Sequence, residues 1–220
     1  MRSVRSFAVR ATVLLTTVAL VCSTANAVLT TYSDRSLFLA ALPGAAEFES
    51  FEDEALDLDV GSRTISTSTS SIEFLGDSGA TFGVSNIVAG GRGPTHGVQY
   101  LQAGFIGTSR VLFEFPSPVL AFGIDVVDKN VNDLDGLIGD LTLNGAIDPG
   151  PEANVQFWGV IATPDLAFTK VGFAGLGPSV PGDTFALDNV VFVNAIPEPH
   201  SLSLLFLGGL ALAWRRRPSC

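Results

Sequence analysis

Val119-Leu120-Ala121-Phe122-Gly123-Ile124-Asp125-Val126-Val127 is the stretch that decides the fold class. Apolar residues occupy both alternating sets of positions, and Asp125 is the only charged one. Because successive side chains of a strand point to opposite faces, such a run predicts a strand that is buried on both sides. The segment before it, Arg110–Phe115, alternates in the manner of a strand and is predicted to stop at Pro116.

Similar short runs rich in Phe, Val, Ile and Thr follow one another along the chain, separated by Gly, Pro, Asp and Asn. Roughly ten strands at a spacing of about 8–12 residues, without helices between the later ones, indicate an antiparallel, jelly-roll-like β-sandwich in an all-β domain. The 16 Phe residues against one Met predict a core filled by aromatic rings. The remaining predicted strands are Glu47–Glu52, Thr64–Phe74, Ala80–Val84, Val98–Leu101, Val155–Ile161, Leu166–Phe173 and Phe185–Val193.

Two local signals add detail to this sandwich. Ser33 or Asp34 can cap a short helix that carries Phe38 and ends before Pro43-Gly44. Asn144-Gly145 is flanked by short apolar runs and predicts a two-residue hairpin turn, because both residues tolerate a positive φ.

The first 27 residues have the three parts of a secretory signal peptide. Three arginines precede the apolar stretch 11–21, and Ala25-Asn26-Ala27 is a small-x-small cleavage site. The mature chain is expected to begin at Val28. A lipoprotein signal at Cys22 is the alternative, but Val21 stands where a small residue is expected.

Charge and cysteine are distributed unevenly. Residues 28–199 hold six basic and all 22 acidic residues, a formal charge of −16, which disfavours nucleic acid as a partner. The two cysteines, Cys22 and Cys220, both lie in the terminal segments. The sandwich, predicted for residues 28–195, must therefore be stable without a disulfide.

The C-terminal segment 196–220 combines three unlike elements in a fixed order: Pro197-Glu198-Pro199, an apolar run from Ser201 to Trp214, and Arg215-Arg216-Arg217. This order resembles the PEP-CTERM sorting signal of exported proteins from Gram-negative bacteria that make exopolysaccharide. The resemblance implies processing near the Pro-Glu-Pro by an exosortase-type membrane protease. It also implies an inner-membrane location before processing, then the cell surface or extracellular matrix, with exopolysaccharide as a candidate partner.

The length of the apolar run suits this interpretation. A helix over residues 201–214 is about 21 Å long, shorter than a hydrocarbon core of roughly 30 Å. It engages the bilayer with its arginines on the cytoplasmic side, which leaves the acidic body outside. An ordinary short tail anchor is the alternative.

The body resembles the β-sandwich ectodomains that often precede this signal. The resemblance is carried by Phe122–Val126, Phe168–Phe173 and Gly182–Phe192. It implies an exported, non-enzymatic surface or matrix protein that binds polysaccharide or calcium. A secreted carbohydrate-active enzyme on the same scaffold is the alternative.

Carboxylates near the first and last strands are the candidate ligands for a structural calcium ion, because calcium prefers oxygen ligands. These residues are Glu52, Asp53, Asp183 and Asp188. The alternative for Asp188 is a hydrogen bond to backbone amides at a strand bend. The acidic run from Asp125 to Asp135 does not fit an EF-hand, since Val131 and Thr142 occupy two of the ligand positions.

Trp158 is the candidate for sugar stacking. It follows Phe157 on a predicted strand, so the two rings point to opposite faces and one of them is expected to face outward. A core position for Trp158 is the alternative. Catalysis by a nucleophile is disfavoured, because His96 lies in a predicted surface turn and the chain lacks a Gly-x-Ser-x-Gly elbow.

Overall fold

The computed structural model describes residues 27–76, 79–88, 91–131, 133–175 and 182–195. Within these ranges the chain forms strands, one α-helix, α1 (Arg35–Ala41), and a 3-10 turn at Pro164–Leu166. The predicted all-β class is confirmed. The strands are β1 (Leu29–Tyr32), β2 (Glu47–Glu49), β3 (Asp57–Val60), β4 (Arg63–Ser66), β5 (Ser71–Leu75), β6 (Thr81–Ser85), β7 (Tyr100–Phe105), β8 (Arg110–Val127), β9 (Leu134–Ile138), β10 (Leu141–Ile147), β11 (Val155–Ala162), β12 (Phe168–Gly175) and β13 (Asp183–Asn194).

The strands form two layers that share the long strand β8. The first half of β8 pairs with β5 and β12, and its second half pairs with β11 and β13. Layer one therefore runs β4-β5-β8-β12-β9-β10. Layer two runs β1-β11-β8-β13-β7-β6-β3, with β2 beside the second half of β13. Every pairing is antiparallel, as the sequence predicts.

Aromatic rings fill the space between the layers. Phe74 of layer one stacks on Phe82 of layer two, with ring centroids 4.6 Å apart. Burying one such side chain contributes roughly 1.5–3 kcal/mol. Further contacts between the layers join Phe115 to Phe192 at 4.9 Å and Trp158 to Phe173 at 5.2 Å. Together these rings confirm the predicted aromatic core.

Strand β8 continues through the prolines that were expected to end it. Pro116, Ser117 and Pro118 are exposed and lie between the paired positions Glu114 and Val119. Proline has no N–H to give to a ladder, and the register of β12 against β8 shifts at this place. The prolines therefore mark where β8 passes from one layer to the other.

The hairpin predicted at Asn144-Gly145 is wrong. Ile138 pairs with Leu141, so the two-residue turn between β9 and β10 is Gly139-Asp140, and Gly139 has φ +57°. Asn144-Gly145 instead lies inside β10, where the register shifts between Leu143 and Ile147. A positive φ serves a β-bulge as well as a hairpin turn, and Gly145 uses its φ of +63° for the bulge.

The segment predicted as one strand over Thr64–Phe74 is a hairpin of β4 and β5. Its turn is organised by Thr67, whose hydroxyl oxygen accepts the N–H groups of Thr69 and Ser70 at 3.2 and 3.0 Å. Such a side-chain turn competes with ladder pairing and splits the polar run in two.

Helix α1 covers part of the outer face of layer two. Asp34 caps it, accepting the N–H of Leu37 at 2.9 Å, as the sequence predicts. Phe38 is fully buried against Phe157, with ring centroids 5.2 Å apart. Its ring lies directly on the backbone of Gly123 and Gly159, where an added Cβ would come within 3 Å of it. The ring of Phe38 thus helps to fix the helix to the sheet.

The signal peptide 1–27, apart from its last residue, lies outside the described residues, and so does the predicted helix 201–214. Among the described residues, no helix combines the length and the hydropathy that crossing a bilayer requires.

Candidate functional site

Two acidic side chains occupy the centre of the outer face of layer two. Asp125 on β8 and Asp188 on β13 are paired directly across the two strands. Their neighbours Ile124 and Leu187 belong to the core, so alternation directs both carboxylates to the opposite face. Asp188 is fully buried and Asp125 is 6% exposed. Buried carboxylates need hydrogen-bond partners, and the segments above the sheet supply them.

The loop 91–99 binds Asp188 through its backbone. Oδ2 of Asp188 accepts the N–H groups of Thr95 at 2.6 Å and His96 at 2.8 Å, and Oδ1 accepts the N–H of Asn189 at 2.7 Å. Burial raises the pKa of the Asp188 carboxyl, and these N–H donors oppose that rise. Asp188 therefore ties the loop to the last strand.

The hydroxyl of Thr95 lies between the two carboxylates. Its Oγ1 is 2.8 Å from Oδ2 of Asp125 and 3.1 Å from Oδ2 of Asp188. A hydroxyl has only one proton to donate, so it satisfies one ionised carboxylate at a time.

Arg35 of helix α1 supplies the positive charge of the cluster. Nη1 donates to Oδ1 of Asp125 and Nη2 donates to the backbone oxygen of Asn189, both at 3.0 Å. The guanidinium also lies 5.4 Å from the ring centroid of Phe157. One side chain therefore joins the helix to both central strands through its planar fork.

A β-bulge in β13 shapes this cluster. The register against β8 shifts between Asp188 and Val191, and Asn189 has φ +53°. The bulge turns the amide of Asn189 toward Asp125, whose Oδ2 accepts Nδ2–H at 3.1 Å. Bulges re-aim side chains in this way. Val190 returns to the core after it, while Val191 packs beneath the helix.

Glu52 holds the other end of the same loop. Its Oε1 accepts the N–H groups of Val98 and Gln99, each at 2.8 Å. Gly97 between the anchors has φ +70°, and a Cβ there would come 2.2 Å from Oε1. Two carboxylates, Glu52 and Asp188, thus fix the loop by capturing its backbone amides.

The four calcium candidates have separate surroundings. Asp183 accepts Nζ–H of the buried Lys129 at 2.8 Å and the N–H of Val131 at 3.0 Å. Glu52 and Asp188 bind the loop as above, and Asp53 is exposed. Across the described ranges, His, Cys, Asp and Glu form no group of three or more that could hold a metal ion. Calcium binding by these residues stays a prediction.

Trp158 lies in the core and is 3% exposed. Its ring packs on Phe173 and over Gly136 of β9, where an added Cβ would meet it at 2.8 Å. Phe157 does face the other side of the sheet, but helix α1 covers it. Trp158 therefore does not offer the ring face that sugar stacking requires and takes the core position that was the alternative for it.

Sequence reasoning missed most of the polar cluster. Asp188 was predicted as a candidate calcium ligand near the last strand; it also interrupts an apolar run, and the same signal at Asp125 identifies its partner. Thr95 and Arg35 have no local signal, because their roles depend on segments 30 to 154 residues away.

The last described strand leads directly into the C-terminal segment. β13 is bonded to β8 on one side and to β7 and β2 on the other, and it ends at Asn194. The N–H of Ala195 then donates to the backbone oxygen of Pro118 at 2.8 Å. From this residue onward, positions 195–217 match the family model for the PEP-CTERM protein-sorting motif. The chain carries a PEP-CTERM sorting signal.

This PEP-CTERM signal implies that the protein is exported through the membrane to the cell surface and is processed by an exosortase, a membrane protease. Its predicted motif residues, Pro197-Glu198-Pro199 and Arg215-Arg216-Arg217, fall within the matched range but outside the described residues. Of the signal-peptide cleavage residues, Ala25 is also outside them, and Ala27 is the first residue described.

Two solved structures are similar to the chain in fold. One is a family 11 carbohydrate-binding module of the cellulosomal cellulase Lic26A-Cel5E of Clostridium thermocellum, with 11% identity and a TM-score of 0.38 over 64% of this chain and 98% of the module. The other is the K2 cleaved adhesin domain of Lys-gingipain, with 11% identity and a TM-score of 0.34 over 76% of this chain and 99% of that domain. At these scores neither supports an argument about function. No curated protein matches the sequence.

Proposed function

We propose that the chain is a cell-surface or extracellular-matrix protein whose body is released from its membrane segment by an exosortase and then binds polysaccharide without catalysis. The observation that carries the proposal is the position of the sorting motif. It begins at residue 195, immediately after the central strand β13 ends at Asn194.

The position of the motif makes processing compatible with a folded body. β13 is hydrogen-bonded on both sides and its apolar residues belong to the core, so the sandwich needs the chain as far as Asn194. A cut at Pro197-Glu198-Pro199 removes none of this strand. Five residues separate Ala195 from Ser201, a reach of about 20 Å at most, so the body is held close to the bilayer until the cut is made.

The acidic pair on layer two supports a non-enzymatic body. Glycoside hydrolysis needs two carboxyl groups that flank a bound sugar, with room for water. Asp125 and Asp188 are instead buried and engaged by Arg35, Thr95 and backbone amides. They hold the loop and the helix on the sheet. This observation favours a binding role over the secreted carbohydrate-active enzyme.

The proposal is tested in a host that contains the exosortase. The wild-type chain is compared with a variant in which Pro197, Glu198 and Pro199 are all alanine, and proteins exposed on intact cells are identified by protease shaving. The wild-type body is expected at the surface, and the variant is expected to remain in the inner-membrane fraction. Equal surface exposure of the two chains would contradict the proposal.

The matched control replaces Asp53 and Glu54 by alanine, two neighbouring residues in the body. This variant is expected to reach the surface as the wild type does. Its retention would mean that the assay responds to any change in the chain.

A further inference from the structure

A cavity of about 460 Å³ lies between the edge strand of each layer, β1 of layer two and β10 of layer one. We infer that it binds one unit of a neutral polysaccharide. This inference rests on the proposed binding role and assigns it a site and a ligand class. Its lining includes the polar and aromatic residues Thr31, Tyr32, Ser33, Thr142, Asn144 and Trp158.

The bulge in β10 builds one wall of this cavity. The register of β10 against β9 shifts between Leu143 and Ile147, and the N–H of Gly145 donates to Oδ1 of Asp135 at 3.0 Å. The bond to Asp135 holds the bulge in place. As a consequence Asn144 lies on the cavity beside Thr142.

The opposite wall is β1, held firmly by its neighbours. Tyr32 pairs with Gly159 of β11, and its ring packs edge-on against Phe38 with centroids 5.6 Å apart. Trp158 contributes a ring edge at the floor of the cavity, because its faces are occupied in the core. Thr31 and Tyr32 pair with β11, and Thr142 and Leu143 pair with β9, so part of each wall is fixed by a neighbouring strand, which favours a pre-organised site.

The lining matches the chemistry of an uncharged sugar. Hydroxyl groups of Thr31, Ser33 and Thr142 and the amide of Asn144 provide donors and acceptors, and none of these side chains bonds to another residue in the described part of the chain. The ring of Tyr32 and the edge of the Trp158 ring provide apolar surface for C–H groups. The volume falls in the range of small-ligand sites, roughly 300–1,000 Å³.

Charge selects against acidic sugars. The residues that line the cavity are all uncharged, so a uronate or sulfate group would find no cation there. Residues 28–199 also carry a formal charge of −16, which repels polyanions. A neutral hexose unit can hydrogen-bond to the hydroxyls and the amide. It brings no anion that lacks a cation in the cavity, and the acidic body does not repel it.

Tryptophan fluorescence can report on this cavity alone. The chain has two tryptophans, and Trp214 is outside the sandwich. In the full-length chain carrying Trp214→Phe, kept in mild detergent, Trp158 is the sole tryptophan. Its emission is titrated with cellohexaose, laminarihexaose and mannohexaose, and with hexagalacturonate as the acidic comparison. We expect a saturable change with at least one neutral hexasaccharide and none with hexagalacturonate.

The variant that tests the assignment combines Thr142→Ala and Asn144→Ala, two exposed positions. Loss of two ligand hydrogen bonds is expected to weaken binding about tenfold or more. Thr64→Ala, an exposed position on the outer edge strand β4 of layer one, is the matched control and should bind as the parent does. Unchanged emission with every neutral hexasaccharide, or equal binding by the double variant, would overturn the assignment.

Failure of this site is distinguishable from failure of the binding role itself. Co-sedimentation of the full-length chain with insoluble cellulose, curdlan and mannan measures binding by any face. Sedimentation that the double variant retains, without a change in Trp158 emission, overturns this cavity and leaves polysaccharide binding standing. Absence of both signals removes the binding role and leaves the sorting proposal intact.

Discussion

Asp125 and Asp188 face each other across the two central strands of layer two, and a single Thr95 hydroxyl lies within hydrogen-bond distance of both carboxylates. Around them Arg35 and the loop 91–99 close over the sheet. This arrangement accounts for how an exported domain without a cysteine between residues 28 and 199 secures its first helix and its longest described loop.

Replacing Asp188 by alanine is expected to loosen the loop 91–99. The N–H groups of Thr95, His96 and Asn189 lose their acceptor, and leaving one buried donor unsatisfied costs about 1–3 kcal/mol. We expect a loss of roughly 3 kcal/mol in the free energy of unfolding, measured with urea, and faster amide exchange in the loop. Asp53→Ala, at an exposed acid, is the control. Equal stability of the two variants would contradict the role given to Asp188.

The stability of the wild type should depend on pH through Asp188. Its pKa in the folded protein is raised above the ordinary value of 3.8, so the folded state binds the proton more tightly than the unfolded state. The contribution of Asp188 to stability is therefore greatest at low pH and falls as pH rises from about 4 through the raised pKa. Asp188→Asn removes this titration.

The measurement is urea unfolding of the wild type and Asp188→Asn between pH 3.5 and 7. The unfolding free energy of the wild type minus that of Asp188→Asn should be most positive at the acid end and should decrease as pH rises. A difference that stays constant across this range would show that Asp188 has the same pKa in both states.

Arg35→Ala is expected to release helix α1 from the sheet. Asp125 and the backbone oxygen of Asn189 lose their donor, and the cost is about 1–3 kcal/mol for a partly buried, charged pair. Arg35→Lys should recover only part of this, because an ammonium group lacks the planar fork that reaches both acceptors. Amide exchange of residues 35–41 reports the release. Arg110→Ala, at an exposed arginine, is the control, and an equal effect there would contradict the role given to Arg35.

Lys129 and Asp183 form a buried ion pair whose loss should be costly. Lys129→Met leaves Asp183 without its cation, and breaking a buried pair costs about 3–5 kcal/mol. The double variant Lys129→Met with Asp183→Asn should recover part of that loss. The surface pair of Lys170 and Glu114 is the comparison, with side chains 46% and 48% exposed, and its loss should cost less than about 1 kcal/mol. Similar costs for the two pairs would contradict the burial argument.

The sequence predicted the elements that depend on local patterns. Helix α1 was predicted from a cap at Ser33 or Asp34, of which Asp34 is the cap observed, and the doubly buried half of β8 was predicted from its continuous apolar run. Which strands pair with one another, and in which register, was harder to predict from the sequence. Asn144-Gly145 allows a positive φ either in a turn or in a bulge, and only the register against β9 decides between them. Pro116 and Pro118 likewise act as breaks or as a crossing between layers, depending on the partners of β8.

The polar cluster was predictable only in part for a similar reason. A carboxylate within an apolar run indicates a buried group that needs a hydrogen-bond or ion-pair partner, which applies to Asp125 and Asp188. The identity of the partner depends on which distant segment the topology brings above it. Thr95 is 93 residues from Asp188, in a glycine-rich loop whose sequence does not signal this contact. The sorting motif, in contrast, is a contiguous signal, and it was the most accessible functional feature of the chain.

Mass spectrometry of the mature protein from its native host is the direct test of processing by the exosortase. We expect a body that begins at Val28, retains β13 through Asn194 and ends near Pro197-Glu198-Pro199, without the apolar run 201–214. Mature surface protein that still carries the intact tail Arg215–Cys220 would contradict it.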